Sequence, residues 1–389
     1  MNHIPASLAR ALTSARTVLV PWALSRTFVV VVAIVTSLVI GYRGSPPIDP
    51  SVPEALQVLG AWDTTWYLDI ARNGYERDLG QVGAEDSNFA FLPLLPGIAW
   101  LALALHLNPF IVLLVVVHLA FLAALALMHT ITVRRGHAPL APPAVWCLAL
   151  LPTAAFASMA YTEAVTLALV MGAAAAAMSH RYLLAGLLAA GATMSRPSGI
   201  LSAILVAHLA LVAGEGRRPR QLAAALVPSG VALGGLFVWM QTARGRWNLP
   251  LDAQRAWDRG GVVTGLVTDL PGNLASGWDH LVGLDWSARW FESARDLGFG
   301  ALAVVLLVRL WRAEGGLRSP WVLYSALALA LPLSTGSIFS LARFSLLAFP
   351  LMWPLAEWFV SHRNRQTQGV IGACVITTLL VVQLVASSP

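Results

Sequence analysis

The sequence predicts an all-α polytopic membrane protein, with about eleven transmembrane helices, a re-entrant or interfacial segment and two large loops on one face. Three observations carry this. The 389 residues are 57% hydrophobic with a mean hydropathy of +0.70, and only 11% are charged, where soluble chains run near about 25%. Apolar runs recur at lengths suited to crossing a bilayer. Short arginine clusters punctuate those runs.

The first candidate span is 18–41, long enough to cross, so no cleavable signal peptide is expected. A polar loop follows within 43–108. Inside it, 91–107 is apolar but short and carries Pro93 and Pro96. It is read as re-entrant or interfacial, a form allowed where broken backbone is buried in protein or faces a cavity. Further spans are expected at 109–133, 141–159, 163–179, 182–195, 199–213, 221–243, 297–312, 320–336, 341–360 and 368–386. The second large loop is 244–296. Together these form one transmembrane domain over 1–389.

Arginine placement orients the chain, because basic residues concentrate in cytoplasmic loops. Arg10/Arg16, Arg134/Arg135, Arg181, Arg217/Arg218/Arg220, Arg309/Arg312/Arg318 and Arg363/Arg365 fall on one side when 91–107 does not cross. The N-terminus is then cytoplasmic, in a plasma membrane, and the C-terminus external. The loops 43–90 and 244–296 and the turns at 160–164, 195–199 and 334–341 lie outside. Most carboxylates share that face, so chemistry is expected there.

The net charge of +6 comes from 25 basic residues, all arginine. They are scattered over helix ends, which excludes nucleic acid as a partner. Cys147 and Cys374 sit in apolar runs and form neither a disulfide framework nor a metal pattern. No phosphate-binding glycine loop, zinc spacing or aspartate pair for a metal-bound nucleotide sugar occurs. No firm cofactor is implied, and dependence on a divalent metal is left open.

The polar segments each have a plain and a functional reading. In "AWDTTWYLDIARNGYERD" (61–78), Trp62, Trp66 and Tyr67 suit a helix lying at headgroup depth. Asp63 is either that helix's cap or a carboxylate presented at the surface. Asp69, Glu76, Asp78 and Glu85 read as solvated acids. "NFAFLPLLPG" (88–97) is a helix start or a wall beside a site. Glu163 either favours the first turn of its helix or serves a site, with Tyr161 beside it. Arg196, in "TMSRPSG", breaks the positive-inside trend on a short outer turn, and such an arginine needs an anion, a carbonyl or headgroups. Arg343, in "FSLARFSLLAFP", either snorkels or joins Arg196 in a phosphate pocket, since a guanidinium suits phosphate. The second loop adds Arg246, Trp247, Gln254 and Trp257, in an aromatic, basic stretch that suits either the interface or sugar rings.

"WDTTWYLDIARNGY", "NFAFLPLLP", "YTEA", "SRPSG" and "LARFSLLAFP", in this order, resemble the GPI mannosyltransferase II (PIG-V) family of GT-C membrane glycosyltransferases, over roughly positions 55–350. "WNLPLDAQRAWDR" is similar to the form in bacterial, especially actinobacterial, members. Two departures are visible: the family's F-F-P is Phe91-Leu92-Pro93 here, and its arginine turn is Arg196-Pro197-Ser198-Gly199. The resemblance implies a GT-C fold, a polyprenyl-phosphate-linked sugar donor, mannose for preference, inversion at the sugar, and an outer-face site. It also implies an acid just before "NFAF", a place held by Asp86.

A polyprenyl-phosphate sugar is already activated, so a base for the acceptor hydroxyl and cations for the leaving phosphate are the remaining needs. Asp63 is the expected base, with Asp86 second. Arg196 and Arg343 are the expected phosphate ligands, with Arg246 third. Glu163 orients an arginine or binds a sugar hydroxyl. Trp62, Tyr75, Tyr161, Trp247, Gln254 and Trp257 are substrate-side candidates. The expected partners are the bilayer, the lipid-linked sugar and a glycolipid, lipoglycan or glycoprotein acceptor. The alternatives are a lipid-sugar flippase, whose ionisable groups would sit at the midplane of repeated halves, and a GT-C enzyme with arabinofuranosyl- or protein O-mannosyltransferase specificity.

Overall fold

Proline and glycine placement cuts the apolar runs into helices of unequal length. The computed structural model describes residues 6–41, 48–80, 82–214, 219–257, 265–284, 286–338 and 340–386, with the side chains of 6–14, 257 and 288 outside that description. Arg217 and Arg218, and the side chain of Arg10, therefore lie outside it. Among the described residues no strand forms; Val82 and Glu85 make an isolated bridge.

The helices are α1 (Ala6–Ile40), α2 (Glu54–Gln57), α3 (Asp63–Asn73), α4 (Leu94–Ala104), α5 (Pro109–Arg134), α6 (Ala141–Leu150), α7 (Thr162–Ala177), α8 (Tyr182–Ser195), α9 (Leu201–Val212), α10 (Pro219–Arg244), α11 (Leu249–Ala253), α12 (Leu270–Gly283), α13 (Ala288–Glu314), α14 (Pro320–Leu333), α15 (Leu341–Ser345), α16 (Met352–Ser361) and α17 (Gln366–Ala386). The all-α arrangement of apolar helices expected from the sequence is the one observed. By length and composition, Ala15–Ile40, Pro109–Arg134, Pro219–Arg244 and Arg363–Ala386 are long and apolar enough to cross a membrane.

Several expected spans are broken. The run 141–159 bends by 71° between Leu150 and Pro152, where a 3-10 segment, Pro152–Ser158, takes over. Pro152 supplies no N–H to continue the ladder. Arg26 of α1 fills this break. Its Nη1 donates to the Ala154 carbonyl at 2.6 Å and to Ser158 Oγ at 2.8 Å, and its Nη2 to the Ala149 carbonyl at 3.4 Å. The run 341–360 divides into α15 and α16, separated by a non-helical stretch and a 3-10 turn at Phe349–Leu351. Pro350 and Pro354 account for that division. The stretch 244–296, expected as loop, holds α11, α12 and the first turns of α13.

The core is built from α5, α6, α7 and their neighbours, around Phe110, Phe121, Met128, Phe349 and Trp353. Most of α7 is buried, and it is rich in alanine. Small side chains let helices approach closely where apolar lipid gives no hydrophobic drive between them. At the far end of α5 from the polar loop, Arg134 Nη1 donates to the Ala175 carbonyl and to Ser179 Oγ, both at 2.7 Å, locking the C-terminal end of α7.

α4 has 11 residues, about 16 Å at helical rise, too short to cross alone. Asn108, just after it, donates to Asp49 Oδ2 at 3.1 Å and caps α5 by accepting from the Ile111 N–H at 3.0 Å. These bonds tie the start of α5 to the stretch before α2.

Candidate functional site

Four segments far apart in sequence meet at the start of α3. Trp62 has φ +65°, a strained conformation for a bulky residue, and it turns the chain so that Asp63 becomes the first helical residue. This corner is tied to the turn before α7. Ala160 N–H donates to the Leu59 carbonyl at 2.8 Å, Thr64 Oγ1 to the Ala160 carbonyl at 3.1 Å, and Tyr161 Oη to the Ala61 carbonyl at 2.8 Å. Neither Trp62 nor Asp63 caps α3 through its side chain. Asp63 Oδ2 instead lies 2.9 Å from Arg343 Nη2.

Glu163 is fully buried in the first turn of α7. Its Oε1 accepts from Arg196 Nη1 at 2.9 Å. The same oxygen lies 2.8 Å from Arg343 Nε, an ion contact without hydrogen-bond alignment, while Oε2 has no partner. Arg196 sits at the end of α8, where Pro197 stops the helix by disfavouring helical backbone at the residue before it. At Gly199 a Cβ would run into the Ala192 carbonyl, so only glycine lets this turn fold back onto α8. Both guanidinium groups lie against Phe344, at 4.7 Å for Arg196 and 5.4 Å for Arg343, and Arg343 is 5.2 Å from the Tyr161 ring. The order is Asp63–Arg343–Glu163–Arg196, formally two negative and two positive charges. Opposite charges at this range attract one another and hold the cluster together.

This chain borders a cavity of about 80 Å³. Asp63, Tyr67, Thr162, Ser195, Arg196, Gln254 and Arg343 give it polar walls, and Ala90, Phe91, Leu92 and Pro197 complete it. Burial, with the Asp63 and Glu163 carboxylates nearby, pushes the Tyr67 hydroxyl well above the usual phenol range, so it stays a neutral donor. Phe91 stacks on Trp66 at 5.6 Å and packs edge-on to Tyr67 at 5.5 Å, which places the "NFAF" segment as a wall. A second, apolar cavity of about 520 Å³ lies across that wall, lined by Ile70, Tyr75, Pro93, Pro96, Trp100, Met194, Leu236 and Trp239 among others.

The other candidates are placed as follows. Asp86 is exposed and does not line the cavity. Arg246 pairs with Asp252 rather than with the cavity, and Asn248 Nδ2 donates to the same carboxylate at 2.6 Å. Gln254 lines the cavity and donates to the Ala90 carbonyl at 3.1 Å. Tyr75 stacks on Phe89 at 5.5 Å and donates to the Phe91 carbonyl at 2.8 Å, supporting the wall from behind. Tyr161 lies beneath Arg343. Trp62 packs against the core, and its Nε1 is buried without a partner. Trp247 is exposed, edge-on to Phe237 at 5.6 Å. The side chain of Trp257 lies outside the described residues.

Glu76 is not simply solvated: it accepts from Ser87 Oγ at 2.8 Å and from the Asn88 N–H at 3.1 Å, setting the turn that begins the wall. Asp69 accepts from Asn73 Nδ2 at 2.8 Å. Sequence reading passed over Tyr67, Thr162 and Ser195 as lining groups. Tyr67 stands four residues after Asp63, a spacing that shares one helix face, and that signal was present. Among the described residues, no three His, Cys, Asp or Glu side chains converge as metal ligands.

No protein-family model matches the chain, and no curated protein matches it. Among solved structures it is similar to the archaeal oligosaccharyltransferase AglB from Archaeoglobus fulgidus in complex with an inhibitory peptide and a dolichol-phosphate. That similarity is at 10% identity and a TM-score of 0.47, over 94% of this chain and 55% of the other. It is also similar to the Archaeoglobus fulgidus oligosaccharyltransferase tethered to an acceptor peptide containing the NVT sequon, at 13% identity and a TM-score of 0.46, over 96% and 54%. The chain spans about half the length of the structures it matches.

Proposed function

We propose that this protein is an inverting GT-C-type membrane glycosyltransferase that moves a sugar, mannose, from a polyprenyl-phosphate donor to an extracytoplasmic glycolipid or lipoglycan acceptor. One observation carries the reading: Asp63, Arg343 and Arg196 line a single small polar cavity from three separate segments, with Glu163 of a fourth buried behind them and paired to both arginines. A carboxylate beside two arginines is what transfer from a lipid phosphate requires. The large apolar cavity across the Phe91 wall supports a lipid-linked substrate. The motif resemblance to the PIG-V family supports mannose, and the arginine distribution supports an external site in a plasma membrane.

In this reading the acceptor oxygen attacks C1 of the sugar from the face opposite the phosphate. The bond from C1 to the phosphate oxygen breaks, and its electron pair leaves with the phosphate. The acceptor proton passes to Asp63, whose side chain is partly exposed where Glu163 is fully buried. Arg343 and Arg196 stabilise the growing phosphate charge, as preorganised donors do without reorganising during the step. Glu163 holds both guanidinium groups toward the cavity. Tyr67, Thr162, Ser195 and Gln254 are placed to bond sugar hydroxyls.

The test is transfer of labelled mannose from a short-chain polyprenyl-phosphate mannose to a membrane lipid extract, with release of free polyprenyl phosphate measured in parallel. Asp63→Asn should lose about 10²–10⁴-fold in turnover, the usual contribution of a positioned base, while remaining folded. Near-wild-type turnover in that variant would remove Asp63 as base. Lipid movement with no release of polyprenyl phosphate would favour a flippase.

A further inference from the structure

We propose that Asp296 is a positioning residue for Arg343, setting the backbone from which this arginine reaches the donor phosphate; the proposal rests on the phosphate-binding reading above. Asp296 lies on α13, is 2% exposed, and does not line the cavity. Its Oδ1 accepts from the Ala342 N–H at 2.9 Å, and its Oδ2 from the Ser340 N–H at 3.2 Å. Oδ2 also accepts from Arg295 Nη2 at 2.7 Å. The carboxylate therefore binds the opening turn of α15 from outside that helix.

α15 needs such an anchor. It has five residues, too few to hold itself by helical cooperativity. Ser340, which precedes it, has φ +64°, a left-handed conformation that costs a non-glycine residue energy and persists only where surroundings enforce it. One turn after Asp296 on the same face of α13 stands Gly300, where a Cβ would lie 2.7 Å from Leu341 Cδ2. The bare glycine lets α13 press against the residue that begins α15, and Asp296 bonds its first amides. Arg343 follows Ala342 directly.

The side-chain contacts of Arg343 do not replace this anchor. Its resting partners are Asp63 and Glu163, and an arriving phosphate competes with both. When the guanidinium turns to phosphate, the fixed part is the backbone held by Asp296. Asparagine at 296 is uncharged and offers one acceptor oxygen for two amides, so one amide loses its acceptor and the other keeps only a neutral one.

The experiment uses the full chain in detergent, with a short-chain polyprenyl phosphate as the probe. Asp296→Asn should weaken its binding about tenfold, close to the ~1.4 kcal/mol of one decade, with donor KM raised and kcat at saturating donor changed less than about threefold. In an Arg343→Ala background the same change should weaken binding less than about twofold, because coupled residues do not add. Amide exchange over 340–345 should accelerate at least about tenfold, the same decade in opening equilibrium. Equal weakening in both backgrounds, or unchanged exchange over 340–345, would overturn the proposal. If exchange accelerates but Arg343→Ala itself leaves lipid-phosphate binding unchanged, Asp296 still positions Arg343, and it is the phosphate-binding reading that fails.

Discussion

Glu163 offers the sharpest separation between holding a site together and reacting in it. The perturbation is Glu163→Gln, which keeps the shape and removes the charge. Glu163 is fully buried, and one of its oxygens lies 2.9 Å from Arg196 Nη1 and 2.8 Å from Arg343 Nε. At charge separations near 4 Å and an effective dielectric of about 20, each attraction is worth roughly 4 kcal/mol. Removing Glu163 also removes its own desolvation cost, so the gross sum is not the net. Breaking a buried pair by deleting one partner typically costs about 3–5 kcal/mol, because an uncompensated charge is left behind. Here Arg343 would keep Asp63 as its carboxylate, while Arg196 would lose the one it is paired with. Asp63→Asn should cost less, about 1.5–3 kcal/mol as for one lost contact to a charged group, since Arg343 keeps Glu163 as a carboxylate partner. The assay is reversible unfolding in mixed micelles titrated with SDS, alongside turnover at a temperature where each variant is folded. Glu163→Gln should therefore lose stability first, and Asp63→Asn should lose turnover first. If Glu163→Gln unfolds within about 0.5 kcal/mol of wild type yet loses turnover, the view of Glu163 as the buried clamp between two arginines is refuted, and it must contact substrate.

Two further outcomes follow from placement. Asp86→Asn should stay within about twofold of wild-type turnover, because an exposed surface substitution away from the site usually has small effects; a tenfold loss would show that this loop reaches the cavity when substrate binds. Arg26→Leu should lower stability by about 1–3 kcal/mol net: the Ala149 and Ala154 carbonyls and Ser158 lose their buried donor, each at a cost in that range, and removal of the guanidinium's own desolvation cost offsets much of the sum. An unchanged unfolding midpoint would mean that the break after α6 holds without it.

Much of this arrangement was legible in the chain because membrane proteins write their constraints in composition. Asp63, Glu163, Arg196 and Arg343 were each conspicuous as a charge at an apolar helix end, and arginine counting assigned all four to one face. Their convergence in one ion-paired cluster beside a cavity was not legible, because it depends on which helices neighbour each other. Arg246 looked like a free cation in an aromatic loop, yet it meets Asp252 six residues later across a turn. The division of 341–360 had its signal in Pro350 and Pro354, which a hydropathy window averages away. Asp296 had no local signal, since its amide partners are 44 and 46 residues distant. Glu76 was masked by the general expectation that loop acids face water.

The four charges described at the site sum to zero, and that sum has a consequence for the chemistry proposed. A sugar phosphodiester carries one negative charge, and the departing monoester gains a second. In the same step Asp63 takes up a proton and gives up its negative charge. The total within the cavity is then the same before and after transfer. A reaction whose product charge rises in a poorly screened place would ordinarily need counterions or water to follow it in. This arrangement moves the compensating proton a few ångströms instead. Transfer rate at saturating donor should accordingly depend little on bulk ionic strength, even though donor capture depends on it.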